Sequence, residues 1–242
     1  HIIQLRGEAD ADHFTVVNCA LINAYQQLLK VSANKLSANS ADFGVIRDSV
    51  FAYESALGPN FYIGGIDVHR GRGWEVTGNT FRNIASPAQR VAEFAVHFWS
   101  ESADNVVKHN VIIDSDRGIG FGLGAEARRR NNGGEITDNL IVNSKTENPF
   151  SDVAIALENS PATRVTGNTV FLAHDYPNAI EYRFPETEGV VIAGNVVNRA
   201  IRSRDGATAL VENNQERTLP ASIFDRLRYY APKLIDRLTE EN

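Results

Sequence analysis

The sequence predicts an all-β solenoid, a single-stranded parallel β-helix of about 7–8 coils closed at its C-terminal end by an α-helical cap. Three observations predict it. Seven short segments place Asn or Asp at one point of a shared pattern, at Asn18, Asp48, Asn79, Asn110, Asn139, Asn168 and Asn195, with intervals of 30, 31, 31, 29, 29 and 27 residues. The residues flanking that point are β-branched or aromatic on both sides. A second set of strand-like segments falls between the first, so each repeat holds about three short strands and one longer loop.

The elements follow in chain order. The chain opens at His1 inside strand-like HIIQLRG and contains no Met, which reads as a processed or excised piece of a longer protein. The first segment, FTVVN, ends at Asn18, and GVIRD ends at Asp48. WEVTGN, NVVKHN, GEITDN, TRVTGN and VVIAGN end at Asn79, Asn110, Asn139, Asn168 and Asn195, with a late copy expected at Asn213. Three residues before the Asn stand Val76, Val107, Ile136, Val165 and Ile192; two residues after it stand Phe81, Ile112, Ile141, Val170 and Val197. Asn and Asp tolerate the left-handed conformation that a sharp corner needs, and stacked asparagines can form amide ladders. The second strand set is GIDVHR (65–70), AVHFWS (95–100), GIGFGL (118–123), AIALEN (154–159) and AIEYRF (179–184). The longest loops are expected over Ala85–Phe94 and Ala125–Gly133. Residues 1–218 thus form the solenoid. Residues 219–242 change period: Ile223, Leu227, Tyr230, Leu234 and Leu238, with a break at Pro232, read as an amphipathic cap over the open end.

Composition narrows the function classes. A net charge of −6 and a pI near 5.5 give no general attraction to nucleic acid. No apolar run reaches the ~18 residues that a membrane span requires. One cysteine, Cys19, rules out an internal disulfide framework.

The repeat with its GN and DN corners resembles the right-handed parallel β-helix superfamily that includes pectate lyases, chondroitinase-B-like lyases and alginate C5-epimerases. The stretch GIDVHRGRGWEVTGN is similar to the Gly-x-Asp-Pro-His-Asp motif of the epimerases. Asp67 and His69 take the positions of its Asp and His. Val68 stands for the proline, Arg70 for the second Asp, and Gly64 where that family has a tyrosine. The resemblance implies a right-handed coil, a polysaccharide or oligosaccharide partner, and a secreted, periplasmic or cell-surface location.

The register turns the second strand set into a grid. Ile66, Val96, Ile119, Ile155 and Ile180 form one inward column, and Val68, Phe98, Phe121, Leu157 and Tyr182 the other. The residues between them face outward. One outward column reads Asp67, His97, Gly120, Ala156, Glu181; the next reads His69, Trp99, Gly122, Glu158, Arg183. Extended backward, LLKVSA adds Lys30 and Ser32, and HIIQLRG adds Gln4 and Arg6. Coils lie about 4.8 Å apart and the columns about 6.6 Å apart, so Asp67, His69, His97 and Trp99 share one patch with Lys30 at its edge. Trp99 is expected to stack on a sugar, with Gly120 and Gly122 leaving a smooth trough beside it. Arg117 enters that trough at its corner. Glu158, Glu181 and Arg183 lie beyond as further sugar contacts, Glu158 and Arg183 being close enough to pair. Arg70, Arg72 and the run Arg128–Arg130 read as solvated loop charges, His109 as a corner residue, and Trp74 as packing under a loop.

The chemistry that fits is proton abstraction at C5 of a uronate in an acidic polysaccharide, by a lyase or an epimerase. His69 or His97 is the candidate base, Asp67 orients it, and Lys30 or Arg117 holds the sugar carboxylate. A non-catalytic carbohydrate-binding or structural module is the alternative reading. A glycoside hydrolase is a third, which requires carboxylates about 5–9.5 Å apart; Glu158 and Glu181 fall near 8 Å, whereas Asp67 and Glu158 fall near 14 Å. Asp67, His69 and His97 also match the ligand set of an open transition-metal site, so a divalent cation is the cofactor left open.

Overall fold

The computed structural model describes residues 1–34 and 36–218; the expected helical cap at 219–242 lies outside the described residues. The chain is a parallel β-solenoid of about 7 turns built from three sheets of eight strands each. The front sheet stacks Ile3–Arg6, Gln27–Ser32, Gly64–His69, Val96–Trp99, Ile119–Phe121, Ile155–Glu158, Asn178–Arg183 and Ala200–Arg204. The side sheet runs from Thr15–Val17 to Ala209–Glu212, and the back sheet from Ala20–Ile22 to Gln215–Glu216. Every pairing is parallel and joins strands one coil apart. No helix among the described residues is long and apolar enough to cross a membrane.

The front-sheet register is the one the sequence pattern requires. Val96 pairs with Ile66 and Ile119, and His97 with Asp67 and Gly120; Trp99 pairs with His69, Glu158 with Arg183, and Lys30 with Asp67 and Gln4. Both inward columns are buried, Tyr182 being the most accessible member at 8%. Phe51 and Phe81 stack one coil apart with centroids 5.0 Å apart. Trp74 fills the core and donates its Nε1–H to the Ala41 carbonyl (2.7 Å).

The corner between side and back sheets differs from the expectation by one residue in three coils. Two separate columns share that corner. The first holds Asn18, Asp48, Gly78, His109, Asp138, Gly167, Gly194 and Asn213, all at positive φ, so the left-handed conformation belongs to the residue before the ladder. The ladder proper is Asn79, Asn110, Asn139, Asn168, Asn195 and Asn214, continued backward by Ser49 and Cys19. Asn18, Asp48 and Asn213 therefore mark the bend and not the ladder. From Asn79 to Asn195 each ladder amide donates to the next side-chain oxygen (Asn139 to Asn168, 2.9 Å) and to a carbonyl of the preceding coil (Asn139 to Val107, 2.9 Å). From Asn110 onward the side-chain oxygen accepts both the backbone and the side-chain N–H of the previous Asn, at 3.0 Å each for Asn139. The side-chain amide thus satisfies corner backbone that no strand ladder reaches.

Loops cover more of the front sheet than its alternation suggests. Phe94, Val153 and Ala156 form a second small apolar cluster, with Tyr176 packed against it. Ala156 faces outward from the sheet, so this cluster lies outside the solenoid. The loops carrying Phe94, Val153 and Tyr176 fold over the outer face at His97, Gly120, Ala156 and Glu181.

Candidate functional site

The front sheet sets Lys30, Asp67, His69, His97 and Trp99 on three successive strands, as the alternation predicts. Solvent exposure departs from the expectation. Lys30, Asp67, His97 and Glu181 are all buried: covering-loop residues meet His97 (Phe94, Glu93) and Glu181 (Tyr176), while Lys30 and Asp67 join a polar network with His69 and Trp99. His69 and Trp99 sit one column nearer the edge and are half-buried.

The network is built around Asp67. One carboxylate oxygen accepts the Lys30 ammonium; the other accepts the Trp99 Nε1–H at 2.9 Å. Burial alone would raise this carboxyl, but the Lys30 ammonium beside it, through its charge and its hydrogen bond, leads the opposing influences, and Asp67 is held below its ordinary value. Lys30 also reaches His69 Nε2 at 2.7 Å. An ammonium has only donors, so Nε2 is the acceptor and the His69 proton resides on Nδ1. Burial pulls His69 down to about 4, the Asp67 carboxylate opposing the shift and Lys30 and His97 adding to it. His69 is therefore a neutral imidazole at neutral pH, held by Lys30 and edge-on to Trp99 with centroids 4.2 Å apart.

His97 is placed differently from its expected role. Its Nε2 donates to the Gly122 carbonyl (3.0 Å) and its Nδ1 faces the Glu93 carboxyl (3.0 Å). Fully buried, with both nitrogens engaged, it stacks on Trp99 at 5.7 Å and 15°. It fixes the tryptophan; it presents no free lone pair to solvent. The trough is also filled. A Cβ at Gly120 would lie 2.6 Å from the Phe94 ring, and one at Gly122 (φ +76°) would lie 1.7 Å from the Glu158 carbonyl oxygen. These glycines admit a covering ring and a close coil contact instead of a sugar.

The remaining predicted residues fall away from His69. Arg117 pairs with Asp152 (3.1 Å) and lies over the Phe94 ring at 4.9 Å. Glu158 accepts from Arg183 (3.1 Å), the pairing the grid suggested, and from the Gly124 N–H (2.5 Å). Glu181 is buried among Tyr176 (2.7 Å), Asn178 (2.6 Å) and Arg204 (2.9 Å). Neither carboxylate of the hydrolase pair is free. The metal reading fails on its donor set: His97 turns both nitrogens elsewhere, and the Lys30 ammonium lies between Asp67 and His69 where a cation would sit.

A cleft of about 560 Å³ opens directly over His69 and Trp99. Its walls include Arg70, Arg128, Arg129 and Glu126, so three cations face one anion. Glu126 is held by Arg129 at 2.9 Å, and Arg70 donates to the Ser37 carbonyl (2.5 Å) and to Glu101 (3.2 Å). The arginines read from sequence as solvated charges are thus the cleft walls. A charge run in a loop has no periodicity to place it, and only the fold of residues 122–131 back toward His69 shows what it faces. Glu93, which tethers His97, also carried no signal, since it lies in the covering loop.

One solved structure is similar in fold. The chain matches the crystal structure of an alginate lyase from Paenibacillus sp. str. FPU-7 at 15% identity and a TM-score of 0.53, over 81% of this chain and 75% of that one. At that identity the likeness shows a shared β-solenoid architecture. No protein-family model matches the chain, and no curated protein matches its sequence.

Proposed function

We propose that this protein acts on an acidic polysaccharide as a uronate lyase, with His69 as the base. The observation that carries the reading is a neutral imidazole, backed by a buried Lys30–Asp67 pair, at the floor of a cleft walled by arginines. The fold shared with an alginate lyase supports it.

The groups divide the work by their chemistry. Arg128 and Arg129 draw in the polyanion and hold carboxylates at the rim. Trp99 offers its accessible edge to the apolar face of a sugar ring. Lys30 covers the His69 Nε2 lone pair in the free protein. When the sugar carboxylate enters, the Lys30 ammonium turns to it while remaining paired with Asp67. That one movement neutralises the carboxylate, which acidifies C5, and uncovers the base. His69 Nε2 takes the C5 proton, the electron pair forms the C4=C5 double bond, and the C4–O glycosidic bond breaks. The departing oxygen takes up a proton, for which the His69 imidazolium is the nearest donor.

The test is a panel of polyuronates and neutral glycans, followed by the ultraviolet absorbance of the new conjugated double bond. The expected result is unsaturated product from a polyuronate, abolished in His69→Gln and reduced at least 100-fold in Lys30→Met, as expected for removal of one proton-transfer or charge-stabilising group. Full turnover in His69→Gln would remove the base assignment. New reducing ends without unsaturation would establish hydrolysis, and affinity without turnover a binding module.

A further inference from the structure

A second cleft of about 380 Å³ shares Arg70 with the first and continues along the same corner of the solenoid. Its lining includes Arg72, Arg130, Asp42, Glu101 and Asn132. Both carboxylates there are already committed. Asp42 accepts the Ser40 hydroxyl and the Arg72 backbone N–H, each at 2.9 Å, and Glu101 accepts from Arg70. The guanidinium groups of Arg72 and Arg130 have no acidic partner among the described residues, and both are exposed.

The backbone fixes how these groups are spaced. Arg72 bridges to Ala103, and Ala103 pairs with Asn132, so Arg72 and Asn132 stand two coils apart, about 10 Å along the axis. Arg130 lies beside Asn132, its carbonyl accepting the Glu101 N–H at 2.9 Å. The cleft therefore presents two uncommitted guanidinium groups about two coils apart, with an exposed amide suited to a sugar hydroxyl. The row Arg70, Glu101, Arg130 leads from it to the first cleft.

We infer that this cleft is a second subsite for a carboxylate-bearing sugar, so that the protein grips several consecutive units of one acidic chain. The inference rests on the reading of the His69 cleft as the place where a uronate binds. Arg72 and Arg130 would take the carboxylate of a unit beyond the one over His69, and Asn132 would take a hydroxyl.

Calorimetric titration with oligouronates of increasing length, from disaccharide to hexasaccharide, tests it. With the full chain carrying His69→Gln to prevent turnover, affinity is expected to rise about tenfold or more once the oligomer reaches the second cleft, by one or two charge-assisted contacts. Adding Arg72→Gln and Arg130→Gln should erase that rise and leave disaccharide affinity unchanged, while lysine at both positions should restore part of it. An undiminished length dependence in the glutamine variant overturns the subsite alone. Failure of every oligouronate to bind either protein overturns the underlying uronate reading, and the subsite with it.

Discussion

Removing His69 should change how stability depends on pH, and the size of the change follows from its surroundings. Burial depresses the His69 imidazole from 6.5 to about 4, so the folded protein resists a proton that the unfolded chain accepts. The sign is fixed by that difference. Between about pH 6.5 and 4 the unfolded state binds one more proton, so this contribution is fully present above the window and is lost as pH falls through it. From pH 7 to pH 4.5 the loss is about 2 kcal/mol. His174, also pulled to about 4 by burial, adds a loss of the same sign, while Asp116, raised to about 6, acts in the opposite direction. Both are present in wild type and in His69→Gln, so they cancel in the comparison. Urea denaturation of the two proteins at pH 7 and pH 4.5 measures the difference. Wild type should lose about 2 kcal/mol more than the variant over that interval. Parallel pH profiles would show that His69 titrates as a solvated histidine, and the neutral base held by Lys30 would go with it.

The ladder and the glycines give sharper tests of the fold. Asn139→Ala removes two donated and two accepted hydrogen bonds in a buried corner and should cost on the order of 3–4 kcal/mol in urea titration, whereas Asp138→Gly, at φ 54°, should be neutral or slightly stabilising. Gly122→Ala drives a Cβ to 1.7 Å from the Glu158 carbonyl oxygen and disturbs the carbonyl that holds His97, so soluble, cooperatively folding protein should be lost; Gly124→Ala, also at positive φ but in open space, should cost only about 1 kcal/mol by thermal melting. Trp99→Phe keeps an aromatic ring but strips Asp67 of its 2.9 Å donor, which should cost about 1–3 kcal/mol, and turnover on a uronate substrate should fall more than substrate affinity.

The front-sheet register was legible because alternation and period are properties of the chain itself. Ile66, Val96, Ile119, Ile155 and Ile180 could occupy one column in only one way, and that alignment carried Lys30, Asp67, His69 and Trp99 into one neighbourhood. The corner was read one residue out at Asn18, Asp48 and Asn213, because Asn suits both the left-handed bend and the ladder, and composition does not separate the two roles. Loop placement was not legible. Phe94 and Val153 give no periodic sign that they fold over the sheet, yet Phe94 packs against His97 and Gly120, and Val153 against Ala156. The cleft was missed for the same reason, since Arg128 and Arg129 gain their meaning from where a loop returns.

The proposed chemistry favours elimination over epimerisation on grounds of space. Gly64 occupies the position where the resembled motif has a tyrosine, and a Cβ there would lie 2.9 Å from Glu93 Cβ and 3.0 Å from Gln27 Cγ. The room for a phenol is filled by the residue that tethers His97. Epimerisation removes a proton from one face of the sugar and delivers one to the other, so it needs proton-active groups on both faces. Elimination needs a base on one face and a leaving group, which His69 can serve alone. The expectation is specific: a uronate polymer incubated with the protein in deuterium oxide should yield unsaturated chain ends, while C5 of the unbroken chain remains unlabelled by nuclear magnetic resonance. Deuterium at C5 of intact chains with inverted configuration would mean that a second proton donor reaches the opposite face, and His69 would then be one half of an epimerase pair; label with retained configuration would mean only that His69 returns a proton to the face it took one from.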